Sequence, residues 1–473
     1  MLSSLLPHTH PLRLAYHKMW GIASAVRYGF PSKKMKIIGV TGTDGKTTTV
    51  SLIAQLLTLA GKRVGMASTV AFQINEKKWT NESHKTTLGR FGLQKLLRQM
   101  ADAGCEYAVV EVSSHALMQS RVWGIDFDTV VWTNLSREHL DYHGTMEEYM
   151  RAKGKLFENC LKNVKAKKTL GVIYGECPPY TDYYRSFSLD KVIVYGTGDI
   201  LEKTMPLLER EELLWFSNLS EHESLTFDLF SQGKKYPGEI HLVGSCNVQN
   251  ALAAIAVVKE EGIALSDIVT FLPQLQSVPG RMEKVQMGQD FTVIIDYAVT
   301  PDALKKCYGM LGSLTKGKLL AVLGACGDRD QGKRAEMGEI AATMCDYLIL
   351  TDEEPYSEDP KEIIAMLEVG VHSAEQKDLS TRHSEQSEES VQDMSLTQAT
   401  IGSEPKNISY EVLLSRRDAI KKALSQAKTG DTVVITGMGD QTSRIIDGKG
   451  TRESWSDREV VREELSKLLK VGG

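Results

Sequence analysis

No stretch of this chain holds the ~20 consecutive apolar residues needed to span a bilayer, and residues 1–34 lack the continuous apolar core of a signal peptide. A disulfide framework is missing too. Cys105, Cys160, Cys177, Cys246, Cys307, Cys326 and Cys345 are scattered without pairing or metal spacing, the pattern of reduced thiols in a cytoplasmic protein. Nor is there excess positive charge: a net charge of −5 leaves no electrostatic footprint for nucleic acid. What remains is ordinary globular composition, 42% hydrophobic and 25% charged, over 473 residues. That length exceeds a single core, so two or three domains are expected.

The most informative stretch is Lys36-Ile37-Ile38-Gly39-Val40-Thr41-Gly42-Thr43-Asp44-Gly45-Lys46-Thr47-Thr48-Thr49. A short β-rich run, Ile37 to Val40, opens into a loop of glycines and threonines with one lysine. Val50, Ile53, Leu56, Leu57 and Ala60 then recur at helical spacing, and Gly61 is placed to stop them. Strand, glycine loop and helix aim backbone N–H groups and a helix N-terminus at phosphate. Lys46 suits the outer phosphates, and the Thr47 hydroxyl suits a phosphate-bound Mg²⁺. The usual spacing needs glycine where Val40 stands, and Gly39 falls one residue early.

From Lys36 to Val278 strands and helices alternate as a mostly parallel sheet requires. Tyr107 to Val112 reads as a buried strand with Glu111 near its end, where a metal-holding acid belongs beside a phosphate loop. The strand Phe127 to Thr133 exits into Asn134-Leu135-Ser136-Arg137-Glu138-His139-Leu140-Asp141-Tyr142-His143. One asparagine, two histidines and several acids there suit phosphate and Mg²⁺ chemistry, although a lone histidine such as His143 is more often structural. Residues 149–157 continue as a helix on which Lys153 reads as one more charge on a solvated face. Residues 188–243 look like a β-flank, and Ala251 to Val258 like a long apolar helix. Val278-Pro279-Gly280-Arg281 contains a Pro-Gly break, the candidate hinge.

Beyond it a second alternation places strands at Thr292–Ile295, Leu319–Leu323, Tyr347–Leu350 and Thr432–Thr436. The expected domains are an arm over 1–34, a central domain over 35–278 and a C-terminal domain over 279–473. Residues 373–406, rich in Ser, Glu and Gln, are expected to be a disordered insertion. For the aromatic and basic arm, packing on the first domain is favoured over a membrane-surface helix.

Five stretches resemble one family in order: Thr41–Thr49, Glu111–Leu117, Thr133–Gly144, Val278–Glu283 and Gly327–Arg334. Together they look like the muramyl-tripeptide synthetase branch of the Mur ligases, ATP-dependent amide-forming enzymes of peptidoglycan biosynthesis. The resemblance implies an α/β protein: a central P-loop-type ATPase domain with a mostly parallel sheet, plus a C-terminal Rossmann-like α/β domain. It implies that Gly42, Thr43, Asp44, Gly45, Lys46, Thr47 and Thr48 cradle ATP, with Asn247, Asn250, Arg281 and Asp296 as further nucleotide contacts. Thr47, Glu111, His139 and Lys153 match the Mg²⁺ site, Lys153 as a carbamate. Lys46, Lys153, His139 and Arg281 match catalytic positions. Thr86, Thr87, Ser113, Ser114, Gln119 and Arg121 match contacts to a muramyl-peptide donor. Its carboxylate would attack the ATP γ-phosphate to give an acyl phosphate and ADP, an incoming amine would then attack the acyl carbon with loss of phosphate, and the C-terminal domain is expected to close over the site to exclude water.

Departures from that pattern shape the expectation. Only the residues up to Met35 precede the loop, which leaves no room for a uridine-gripping domain. Asp44 stands where asparagine is usual, Val299 where histidine is usual, and Gly244-Ser245-Cys246 lacks the usual arginine and phenylalanine. Among residues for the incoming amino acid, Glu353-Glu354-Pro355-Tyr356 replaces Asp-Asn-Pro-Arg, and Gln441 replaces a glutamate. Tyr356 cannot reproduce a bidentate carboxylate clamp, so Arg329 is left as the anchor and diaminopimelate does not follow. Two alternatives remain: a ligase for a lipid-linked or polyglutamyl substrate, and a nucleotide-binding scaffold without ligase activity.

Overall fold

Pro11 at the first helical position and Gly29 in left-handed backbone (φ 67°) bound the first helix, α1 (Pro11–Tyr28). The computed structural model describes residues 10–83, 85–163, 168–198, 211–221, 224–388 and 409–471. The chain divides into two compact units, Met1–Val278 and Pro279–Gly473. Residues 1–9 of the arm lie outside the described residues; the rest of it belongs to the first unit, where α1 packs on the helix Arg90–Asp102.

The first unit carries strands β1 (Lys36–Thr41), β2 (Val64–Ala67), β3 (Ala71–Ile74), β4 (Lys77–Thr80), β5 (Tyr107–Glu111) and β6 (Thr129–Trp132). After them come β7 (Leu170–Tyr174), β8 (Lys191–Thr197), β9 (Glu211–Glu221), β10 (Leu225–Ser231) and β11 (Lys234–Ile240). Among the described residues they form one sheet in the order β11-β10-β9-β8-β7-β6-β1-β5-β2-β3-β4. The block from β9 to β2 is parallel, while β10, β11, β3 and β4 join antiparallel at its two edges. The β-flank is therefore continuous with the central sheet. The hairpin β3–β4 is absent from the sequence reading, because Lys77, Lys78 and Thr80 give an exposed edge strand no apolar alternation.

Central parallel strands are covered on both faces, which is why they read as unbroken apolar runs. On one face lie α2 (Lys46–Leu59) and the helix Ser245–Glu260; on the other lie α3 (Arg90–Asp102) and α6 (Met146–Leu161). Two short helices, α4 (Ser114–Met118) and α5 (Leu140–His143), follow β5 and β6. Ala251 to Val258 are all buried, so that helix is apolar all round. It starts earlier than its apolar run, at Ser245 after Gly244 (φ 91°), which places Asn247 and Asn250 on the helix itself.

In the second unit β12 (Glu283–Lys284), β13 (Thr292–Asp296), β14 (Leu319–Leu323), β15 (Tyr347–Leu350), β16 (Ser409–Val412) and β17 (Thr432–Thr436) form the order β12-β13-β17-β14-β15-β16. All but β12 are parallel. The helix Pro360–Glu388 runs into the stretch read as an insertion, through residues 373–388. Ile363, Ile364, Leu367 and Val371 bury its first half, and the Ser, Glu and Gln that follow include no proline or glycine to stop it. The remainder, 389–408, lies outside the described residues.

Candidate active site

Parallel pairing of β1 with β5 and β6 sets Val40 beside Glu111 and Thr41 beside Trp132, so three strand exits meet at one edge. The phosphate loop leaves β1 there. Gly42 and Gly45 adopt φ 153° and 77°, and a Cβ would run into Thr133 at the first and Asn250 at the second. Asn134 braces the loop: its Oδ1 accepts from the Asp44 and Thr43 N–H groups (2.8 and 3.2 Å), and its Nδ2 donates to Asp44 O (3.2 Å). Thr133 Oγ1 donates to the same carbonyl (2.6 Å). Lys46 opens α2 and donates from Nζ to Thr43 O (2.6 Å), while Thr48 is half-buried in the same first turn. Asn250 accepts from Thr49 Oγ1 (3.3 Å) and donates to Asn247 Oδ1 (3.2 Å), so Asn250 meets the first turn of α2 and Asn247 is joined to it through Asn250.

Glu111 is 1% exposed and fully engaged: Oε1 accepts from Thr47 Oγ1 (2.9 Å), and Oε2 from Thr69 N and Oγ1 (2.7 and 2.9 Å). Lys153 is the largest correction to the sequence reading. It is 1% exposed, not on a solvated face, because α6 packs on the sheet and turns this residue toward the loop. Its Nζ donates to Gly42 O (2.6 Å) and lies 4.2 Å from the centre of the Tyr149 ring. Burial, and then the Lys46 cation, hold its amine well below the ordinary lysine value. Tyr149 hydroxyl meets Thr43 Oγ1 (3.4 Å), and the His139 ring stands 6.1 Å from the Tyr149 ring and 4.7 Å from His115. Lys46, Glu111, His139 and Lys153 thus share one neighbourhood.

Among the described residues no three His, Cys, Asp or Glu side chains converge to hold a metal unaided. The oxygen donors still suit a hard cation whose other ligands are phosphate oxygens: the Thr47 hydroxyl and Glu111 carboxylate lie together at the loop. Asn134, Thr133, Thr69 and Tyr149 were not named as site residues from sequence. Asn134 alone carried a signal, its place at a strand exit beside the loop; the others depend on sheet register.

The donor-side candidates gather next to Glu111. Thr87 Oγ1 donates to Glu111 O (2.9 Å) and accepts from Ser113 N (3.0 Å), with Thr86 half-buried beside it. Arg121 donates to Thr87 O (2.9 Å) and forks onto Gln119 Oε1 (3.0 and 2.7 Å). Ser114 Oγ pairs with His143 Nε2 (2.9 Å), the structural role that sequence favoured for that histidine.

In the second unit Arg281 stacks on Tyr297 (4.5 Å), and Asp296 accepts from Met282 N (2.7 Å) at the end of β13. Burial raises the Asp296 carboxyl, with Arg281 opposing. Arg329 lies over the Tyr356 ring (5.4 Å), and Glu354 accepts from Ile445 N (3.0 Å). Glu353, 4% exposed at the exit of β15, is pushed up to about 7 by burial, with Glu354 adding and Arg416 opposing. Glu353 Oε2 and Gln441 Oε1 are buried without a hydrogen-bond donor among the described residues.

Two family descriptions match, the Mur ligase middle domain over residues 40–258 and the Mur ligase, glutamate ligase domain over residues 280–439. The UDP-N-acetylmuramoyl-L-alanyl-D-glutamate--2,6-diaminopimelate ligase of Geobacillus kaustophilus (strain HTA426) is 36% identical over 435 residues, 92% of this chain and 80% of that protein. This chain belongs to the Mur ligase family. The UDP-N-acetylmuramyl-tripeptide synthetase of Roseiflexus sp. (strain RS-1) is also 36% identical, over 94% of this chain and 81% of that protein. A solved structure of a ligase bearing the first name superimposes with a TM-score of 0.60 at 31% identity, covering 92% of this chain and 79% of its own. Mur ligases form amide bonds with ATP, and the loop, Glu111 and Lys153 of this chain lie within its middle domain.

Proposed function

We infer that this Mur ligase joins an amino acid to a muramyl-peptide donor, a UDP-MurNAc-L-Ala-D-Glu-like molecule, in peptidoglycan biosynthesis in the cytoplasm, and acts as a monomer. The observation that carries the reading is the convergence of the phosphate loop, the Thr47–Glu111 pair and the buried Lys153 amine at the exits of β1, β5 and β6. The loop N–H groups and Lys46 bind and orient the ATP phosphates and balance the charge that develops as the donor carboxylate takes the γ-phosphoryl group. The cluster of Thr87, Ser113, Gln119 and Arg121 positions the donor. An incoming amine then displaces phosphate from the acyl phosphate.

Thr47, Glu111 and His139 would hold Mg²⁺, which supplies charge neutralisation at the transferred phosphoryl. Lys153 suits carbamylation, because CO₂ adds to an uncharged amine and burial keeps this one uncharged. The product is an anion where a cation would repel the metal. Arg281, Asp296, Asn247 and Asn250 are the further nucleotide contacts.

For the acceptor, the relatives' names specify 2,6-diaminopimelate. Glu353 next to Glu354, with Arg329 on Tyr356 as a single guanidinium, instead favours an amino acid with one carboxylate and a distal ammonium group. The full chain with ATP, Mg²⁺, the UDP-linked dipeptide and a mixed amino-acid pool should release phosphate only when donor and acceptor are both present. Mass spectrometry then names the amine. A folded protein that binds ATP yet releases nothing with any pair would overturn the reading in favour of a nucleotide-binding scaffold.

A further inference from the structure

Helix α1 is inside out relative to an ordinary surface helix. It buries His17, Gly21, Ser24 and Ala25, small or polar residues, and Gly21 is needed because a Cβ there would press on Ser120 O and Trp123. Its large apolar side chains face the other way: Leu12 is 67% exposed, Tyr16 47%, Met19 54%, Trp20 39%, Ile22 38% and Val26 61%. At helical spacing these six share one arc of about 160°. Phe91 at the start of α3, 40% exposed, extends the patch, its ring 5.9 Å from that of Trp20. A surface helix normally shows water its polar side, and a contiguous apolar patch of this kind marks an interaction site.

The charge along the arm has one sign, and the nearest exposed acid of α3, Asp102, is paired with Arg98. From Met1 to Thr43 there is no Asp or Glu, against six Lys and Arg. Lys18, Arg27, Lys33 and Lys34 are exposed; Lys18 borders the strip on the Ile22 side, and Arg27 falls within the arc between Tyr16 and Trp20. Lys95 of α3 adds another exposed cation near Phe91. An apolar strip edged by tyrosine, tryptophan and cations matches the boundary of an anionic bilayer, where rings and aliphatic side chains enter the acyl edge and cations meet phosphate. Among the described residues no helix is long and apolar enough to cross a membrane.

We propose that α1 is a peripheral membrane anchor whose Leu12–Val26 face beds into an anionic lipid surface. The buried side of the same helix reaches the donor cluster, since His17 Nδ1 meets Arg90 Nη2, and Arg90 donates to Gln119 O from Nε and Nη2 (3.1 and 2.8 Å). Lipid docking therefore holds the donor side of the site close to the bilayer, while the chemistry itself is the family's.

The full chain should co-sediment with phosphatidylglycerol-containing vesicles, more weakly at high salt, and far less with phosphatidylcholine alone. The triple variant Leu12→Ser, Met19→Ser, Val26→Ser changes only exposed positions. It should keep its circular dichroism and nucleotide affinity while losing vesicle affinity by about a hundredfold. Lys18→Gln with Arg27→Gln should cost about tenfold and flatten the salt dependence. A folded chain that stays in the supernatant with anionic vesicles overturns the proposal. So does a dimer in size-exclusion chromatography that the triple variant dissolves while vesicles remain unbound, because the face would then be an interface between copies.

Discussion

Lys153 in the first unit and Glu353 in the second are both buried, and they carry opposite formal charge. Desolvation pushes each toward its neutral form, lowering the lysine and raising the glutamate. Their surroundings differ. Lys153 lies beside Lys46 and a loop of backbone donors, so its own neutrality leaves room for a polyanion. Glu353 lies beside Glu354 with an oxygen that finds no donor, so its site asks for a proton or an ammonium group. One physical effect, desolvation, thus acts on a cation beside the glycine loop in one unit and on a carboxyl beside a second acid in the other.

The contrast breaks most visibly at Lys46. Lys46→Ala should lower kcat/KM for phosphate release by about a thousandfold, ~4 kcal/mol, as removal of a preorganised charge does. Next comes Glu353→Gln, read by calorimetric unfolding across pH. The Glu353 carboxyl titrates near 7 in the fold, above its ordinary value of 4.5, so its protonated form stabilises the fold. That contribution is complete below the ordinary value and is lost as pH rises through 7, up to about 3 kcal/mol. The variant should flatten this slope and be the more stable protein at pH 8.5. Equal slopes in both proteins would remove Glu353 from the comparison.

Lys153→Arg tests the other side. A guanidinium stays charged and forms no carbamate, so activity should fall about a hundredfold. A carbamate carbon signal seen with ¹³C-bicarbonate should appear in the parent and vanish in the variant. Smallest is Asn134→Ala, which frees two loop N–H groups and should weaken nucleotide binding by about tenfold, ~1.4 kcal/mol, in titration calorimetry.

The strand, loop and helix around Lys46 were legible because their signals are local: a β-branched run, glycines at forced backbone positions and a helical apolar stripe. So were the four main strands of the second unit. The edge elements β3, β4 and β16 were not, since an edge strand needs little apolar alternation and takes its place from its neighbour. Lys153 shows the same limit in the site. Its helix was visible, but the side it turns inward depends on packing, and only the family resemblance singled it out.

By itself the sequence determined the main strands and helices and the glycine turn that follows β1, because those depend on spacing along the chain. The tertiary structure alone decided that Asn134 braces that turn, that Lys153 is dry, and that α1 shows its apolar side to solvent. Register, burial and exposure are relations between segments far apart in the chain, and no local pattern encodes them.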